Sequence, residues 1–197
     1  MNKIIFATGN KDKMREVREI MADLDVEILS MKEAGIEVDI VEDGKTFEEN
    51  ATIKAKAIAE HTDAIVLADD SGLEVDYMNK EPGVFSARWM GEDTSYDIKN
   101  QAIIDKLEGV EKEGRTARFV CAIAAVLPNK QVLVTRQTME GYIGWEAEGE
   151  NGFGYDPIFF PEGYDCSSAS LSPEAKNEIS HRGKALREIK KLIMKAQ

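Results

Sequence analysis

Cysteine is nearly missing. The 197-residue chain carries two, Cys121 and Cys166, far apart and in no C-x-x-C pattern. That excludes a disulfide framework and a thiolate metal knuckle, and it fits a reducing, cytoplasmic setting with inert thiols. Histidine is equally scarce at two residues, so an imidazole-based zinc site lacks ligands. Proline numbers five and no Pro/Gly-rich stretch occurs, so residues 1–197 are expected to form a single domain, two-lobed at most, without a linker. No apolar run approaches the ~18 residues of a membrane-spanning helix, and no signal-peptide core follows Met1. Positive charge is also short: 25 Lys+Arg face 37 Asp+Glu, for a net charge of −12. This argues against nucleic acid and membrane surfaces as partners, since both need basic patches. A polyanionic substrate would have to be met by locally gathered Lys/Arg, helix N-termini and a metal ion.

What is present is a strand rich in branched apolar residues that runs into carboxylates. Ile65-Val66-Leu67 reads as buried strand, Asp69-Asp70-Ser71-Gly72 as a turn, and Leu73-Glu74-Val75-Asp76 as a returning strand. Two carboxylates at a strand end suggest a hard cation such as Mg²⁺, which takes oxygen ligands and is often shared with substrate phosphates. A solvated turn is the plainer alternative. Upstream, Lys3–Ala7 reads as a strand, broken at Thr8-Gly9-Asn10. A helix capped by Asn10 follows, with Met14, Val17, Ile20, Met21 and Leu24 at helical spacing. Such a strand–turn–helix offers backbone N–H groups and a positive helix end to phosphate, with Lys13 in reach.

Val26–Ser30 reads as a second strand and residues 31–45 as mostly loop. Thr46 then opens a helix through a capping box with Glu49, with Phe47, Ala51, Ala55, Ile58 and Ala59 inward and Asn50 and Lys54 on a neighbouring face. Phe85 and Trp89 read as packing anchors in the loop from Pro82. A helix over residues 95–108 turns Ile98, Ala102, Ile103 and Leu107 inward. Residues 116–127 make a strand apolar enough to be covered on both faces, and 131–140 pair with it as a hairpin. In Gly152-Phe153-Gly154 the glycines leave Phe153 able to present a face to a base, or to plug a core edge. Ser172-Pro173 starts a short helix through Lys176, residues 180–183 interrupt it, and a last helix buries Ala185, Ile189 and Leu192. His181 and Arg182 suit a nucleotide contact or a plain helix start.

The ordered set Thr8–Lys13, Thr46–Ala51 with Lys54-Ala55, Ala68–Gly72, Pro82–Arg88, Phe153–Pro157, and Lys176 with Ser180-His181-Arg182 spans nearly the whole chain. In this it resembles the inosine/xanthosine triphosphate pyrophosphatase family. The resemblance implies an elongated α/β fold of two lobes around a mixed sheet with a central nucleotide-binding cleft, and a homodimer. It also implies Mg²⁺-dependent hydrolysis of deaminated purine nucleoside triphosphates (ITP, dITP, XTP) to monophosphate and pyrophosphate, clearing them from the nucleotide pool. Carried over by position, the segment Thr8-Gly9-Asn10-Lys11-Asp12-Lys13 would hold the phosphates, chiefly through Thr8, Asn10 and Lys13. Glu42 and Asp70 would bind Mg²⁺, Lys54 would neutralise phosphate charge, and Asp70 would be the general base. Ser71 would touch the substrate, while Phe153, Gly154, Tyr155, Asp156, Lys176, Ser180, His181 and Arg182 would form the base pocket. Asp69 is expected to support its turn rather than the chemistry, because neighbouring side chains on a strand point opposite ways. The alternatives are a related pyrophosphatase acting on pyrimidine or modified nucleotides and a non-catalytic nucleotide-binding module.

Overall fold

The computed structural model of the protein describes residues 3–23 and 26–196. Leu24, the last apolar residue of the expected first helix, lies outside them. The chain is mixed α/β. Six strands form one sheet in the order β2-β1-β3-β4-β5-β6: β1 (Lys3–Phe6), β2 (Glu27–Ser30), β3 (Ile65–Val75), β4 (Thr116–Val126), β5 (Val132–Ile143) and β6 (Phe159–Pro161). The strand β1 pairs in parallel with both β2 and β3, whereas β6 pairs antiparallel with β5. Between β4 and β5 the connection is only residues 127–131, closed by Lys130 N–H donating to Leu127 O at 2.8 Å and Leu127 N–H donating to Gln131 O at 2.9 Å. So short a link joins sheet neighbours only as an antiparallel hairpin. Among the described residues the α-helices are α1 (Lys11–Ile20), α2 (Phe47–Ala59), α3 (Tyr96–Lys106), α4 (Pro173–Ile179) and α5 (His181–Ala196).

The chain divides into two compact units. The first comprises Met1–Asp70, Cys121–Gln137 and Arg182–Gln197, and the second Ser71–Val120 and Thr138–His181. In the first unit every second strand residue (Ile4 and Phe6, Ile65 and Leu67, Cys121, Ile123 and Ala125) packs with Met14 and Val17 of α1 and with Ala185, Leu186 and Ile189 of α5. The intervening residues Ile5, Val66, Ala68, Ala122 and Ala124 are buried as well, so these strands are covered on both faces. Along α2 the expected stripe of Phe47, Ala51, Ala55, Ile58 and Ala59 is buried, and the Thr46–Glu49 capping box is formed. Fully burying a Val or Ile side chain contributes about 1.5–3 kcal/mol, against about 1 kcal/mol for a cap, so packing rather than capping holds these helices.

In the second unit Leu73 and Val75 of β3, Ala117 and Phe119 of β4, and Met139 and Ile143 of β5 pack against Ile103 and Leu107 of the α3 segment and against Ile158 and Phe159. Arg115 is fully buried. Its guanidinium donates to the carbonyls of Ile143 (2.7 Å), Leu107 (2.7 Å) and Gly144 (2.6 Å), tying the strand ends to the end of α3.

Five local expectations are corrected. The strand β3 runs unbroken through Ser71-Gly72, because a segment with turn chemistry stays extended when it belongs to a sheet, here next to β4. Ile98 is 56% exposed; the inward stripe of α3 is Lys99, Asn100 and Ile103, and the two polar members bond Ala87 O at 2.7 Å and Gly154 O at 3.1 Å. Phe85, also 56% exposed, lies under the Arg88 guanidinium instead of in the core, while Trp89 does pack on it. Finally, only Ser180 separates α4 from α5, so His181, Arg182 and Gly183 are helical, and Leu192 is only half-buried beside a buried Ile193.

Candidate active site

The turn between β1 and α1 is built by local hydrogen bonds. Asn10 Oδ1 accepts from the N–H of Asp12 (2.9 Å) and Lys13 (3.1 Å), and Thr8 Oγ1 accepts from Asn10 N–H (3.1 Å). Ala7 N–H donates to Leu67 O at 2.7 Å, which anchors the turn beside β3. Thr8 is half-buried; Gly9, Asn10 and Lys11 are exposed, and Asp12 pairs with Arg15 at 3.0 Å. Lys13 leaves the helix toward β3 and reaches the two carboxylate oxygens of Asp69 at 3.1 and 3.0 Å.

Strand pleating sends the two aspartates of β3 to opposite faces. Asp69 has the parity of Ile65 and Leu67, on the side of α1 and α5, and there it meets Lys13 and, at 3.4 Å, Arg182 Nη2. Burial alone would push its carboxyl up, but Lys13, Arg182 and Lys54 outweigh burial and hold it well below the ordinary range. Arg182 also pairs with Glu16 of α1, a buried acid not anticipated from the sequence.

Asp70 faces the other way, where α2 meets it. Asn50 Nδ2 donates to Asp70 Oδ2 at 3.1 Å, and Lys54 Nζ lies 3.7 Å from Asp70 Oδ1 and 3.0 Å from Glu42 Oε2. Residues 50 and 54, one helical turn apart, thus grip the same carboxylate. Asn50 in turn accepts Gly44 N–H at 2.9 Å, which holds the loop carrying Glu42. A Cβ on Gly44 would come within 2.6 Å of Asn50 Oδ1, so only glycine allows this approach. Burial dominates at Asp70 and raises its carboxyl to about 6 despite Lys54 and Lys13. Burial would lower Lys54, but Asp69, Asp70 and Glu42 hold its ammonium above the ordinary value.

Among the described residues no group of three or more His, Cys, Asp or Glu forms a closed metal cage. The donor set of Glu42 and Asp70 fits the other kind of site. Two carboxylates from different elements already converge on one cationic centre, Lys54 Nζ, and the Glu42 side chain is 31% exposed. A Mg²⁺-like ion held by two such oxygens keeps positions for water and phosphate oxygens.

The second unit holds the aromatic turn. Asp156 is buried; its Oδ2 accepts from Lys176 Nζ (2.6 Å) and Phe153 N–H (2.9 Å), and its Oδ1 from Ser168 Oγ (3.0 Å). Gly152 sits at φ +72°, and a Cβ there would lie 2.2 Å from Asp156 Oδ2. Phe153 is half-buried, with Lys176 Nζ 5.2 Å from its ring centroid. Tyr155 is buried, donates to Ser86 O at 2.7 Å, and has its phenol pushed well up by burial. His181 stacks on Phe119, centroids 4.9 Å apart and planes 12° apart. Ser180 ends α4 through its N–H to Lys176 O at 2.8 Å, Gly154 O accepts from Asn100, and Ser71 is half-buried on β3. The sequence-derived residues therefore fall into two sets. Thr8–Lys13, Glu42, Lys54, Asp70 and Arg182 belong to the first unit; Ser71, Phe153–Asp156, Lys176, Ser180 and His181 belong to the second. Asn50, Glu16 and Asp69 join them as residues that hold other members in place.

A buried carboxylate gripped by Lys54 and Asn50, together with a capped helix start bearing a second lysine, makes this an α/β protein chemically suited to an anionic ligand. The family model "Ham1 family" matches residues 4–192, and the chain belongs to that family. A Bacillus licheniformis protein named dITP/XTP pyrophosphatase is 45% identical over 197 residues, covering 100% of both chains. Among solved structures, a HAM1 protein from Coxiella burnetii matches with a TM-score of 0.87 and 38% identity over 99% of this chain and 100% of that one. The Staphylococcus aureus Ham1 protein matches with a TM-score of 0.87 and 37% identity over 100% of both chains.

Proposed function

We propose that the protein is a Mg²⁺-dependent pyrophosphatase of deaminated purine nucleoside triphosphates (ITP, dITP and XTP), giving the monophosphate and pyrophosphate. The name of the Bacillus licheniformis relative supports the substrate class. The observation that carries the reading is the buried Asp70 carboxylate held by Lys54 and Asn50 beside Glu42.

In this reading the whole chain acts as one catalytic domain. Thr8, Asn10 and Lys13 bind the phosphates, Lys54 offsets their charge, and Ser71 touches the substrate. Phe153 stacks on the purine next to Lys176, with Tyr155 and Asp156 fixing that turn and Ser180 and His181 completing the pocket. Stacking supplies affinity but not identity. Identity falls to Arg182, whose guanidinium, with five donors, serves Glu16, Asp69 and a 6-keto oxygen; adenine offers an amino group instead. A Mg²⁺ held by Glu42 and Asp70 supplies charge neutralisation at the phosphate oxygens. Asp70 accepts the proton of the water that attacks the α-phosphorus, and pyrophosphate leaves as a unit. A homodimer working in the cytoplasm completes the reading; among the described residues no helix is long and apolar enough to cross a membrane.

The test is a panel of ITP, dITP, XTP, GTP, ATP, dUTP and CTP with Mg²⁺, with products identified by ion exchange. IMP plus pyrophosphate from ITP is expected. Release of orthophosphate with IDP, or ATP cleaved as fast as ITP, would overturn the proposal, and preference for dUTP or CTP would favour the pyrimidine alternative.

A further inference from the structure

Buried charge needs a reason, because a charge pair taken out of water is seldom worth more to stability than apolar side chains of the same volume. The first unit sets four charged groups side by side, three of them buried and Lys13 half-buried: Asp69 on β3, Lys13 and Glu16 on α1, and Arg182 on α5. Asp69 is 1% exposed, Arg182 2% and Glu16 5%. The two oxygens of Asp69 take Lys13 Nζ at 3.1 and 3.0 Å, and Oδ2 also takes Arg182 Nη2 at 3.4 Å. Glu16 lies three residues after Lys13 on the same helical face and closes the set through the other Arg182 nitrogen, Nη1. Two cations and two anions balance, and Asp69 touches both cations.

We propose that Asp69 is a positioning residue that couples the phosphate-binding lysine to the purine-reading arginine; this rests on the roles given above to Lys13 and Arg182. An ammonium carries three donors, so Lys13 can turn toward a phosphate while keeping Asp69. Inside the fold such contacts polarise one another far more than they do in water. Filling the phosphate end therefore resets the Asp69 carboxylate and, through it, the aim of Arg182. Base discrimination depends on Lys13, although Lys13 does not read the base. A phosphate end filled without a matched base gains less.

The experiment measures kcat/KM for ITP and ATP in the native chain, Lys13→Met, Asp69→Asn and the double variant. Asp69→Asn keeps the shape and one acceptor oxygen but removes the charge. Lys13→Met is expected to lower the ITP/ATP ratio by about tenfold in the native background and to leave it unchanged in the Asp69→Asn background, as a coupled pair requires. Equal losses for ITP and ATP in both backgrounds would mean that Asp69 only stabilises the fold. Should Asp69→Asn fail to fold, Lys13→Met decides alone, and an unmoved ratio overturns the coupling. A native chain that leaves ITP intact overturns the functional reading itself; native hydrolysis with a ratio indifferent to Lys13→Met overturns only the coupling.

Discussion

At the residue scale the two neighbouring aspartates show how little distance along the chain separates opposite electrostatic fates. Asp69 faces Lys13 and Arg182 and stays ionised, whereas Asp70 is dominated by burial and rises to about 6. In the proposed reaction the same amino acid is a fixed counter-charge at one position and the proton acceptor at the next. Asp70→Asn keeps the size and the Asn50 contact, so the fold should survive with a thermal midpoint near that of the native chain. Turnover of ITP should fall by at least ~10², the usual share of a general base. A folded variant with near-native kcat would remove Asp70 from the chemistry. Gly152→Ala tests the aromatic turn. Its methyl would collide with Asp156 Oδ2, and a positive φ is strained for alanine. The expected result is a loss of about 1–3 kcal/mol in urea unfolding together with weaker ITP binding, since the same carboxylate holds Phe153 and Lys176.

At the scale of elements, local signals placed the helices and packing placed the side chains. Asn10, Thr46, Ser95 and Ser172 each cap the helix that follows, and these starts were legible in the sequence because a cap is a contact within three residues. Thr46→Ala removes one half of the capping box and should cost about 1 kcal/mol in the urea midpoint without changing kcat, because the hydroxyl bonds the start of α2. A fall in kcat would mean that this end of α2 also sets the position of Lys54. By contrast, Ile98 at the exposed edge of α3 and the unbroken path of β3 through Ser71-Gly72 were not legible. Polar residues take inward positions when a distant carbonyl receives them, and a turn-forming sequence stays extended when it lies within a sheet.

At the scale of the molecule, the excess of acid is distributed into clusters that depend on pH. Arg118 joins Glu74, Asp76 and Glu140 across β3, β4 and β5, and burial at Asp76 is outweighed by Lys80, Thr116 and Arg118, which bring it to about 2. A carboxyl lowered in the folded state stabilises it above the unfolded pKa, here the ordinary 3.8, and that stability is lost as pH falls toward the folded value. The group is partly exposed, so the contribution is about 1 kcal/mol after solvent screening. The gap in urea midpoint between the native chain and Asp76→Asn should therefore be full at pH 6, shrink below pH 4 and close near pH 2. A gap independent of pH would assign the loss to packing. The sequence by itself determined the starts of α1 to α4, the buried stripe of α2, the hairpin and the segments by which the chain resembles its family, because all of these follow from periodicity, capping and short motifs. Strand pleating already parted Asp69 from Asp70; only the tertiary structure decided that Asp69 meets Lys13 and Arg182, that Asn50 joins Lys54 on Asp70, and that Arg182 meets Glu16. Those pairings join residues from 16 to 166 positions apart, and burial selects them by requiring each charge to find a counter-charge that no local pattern records.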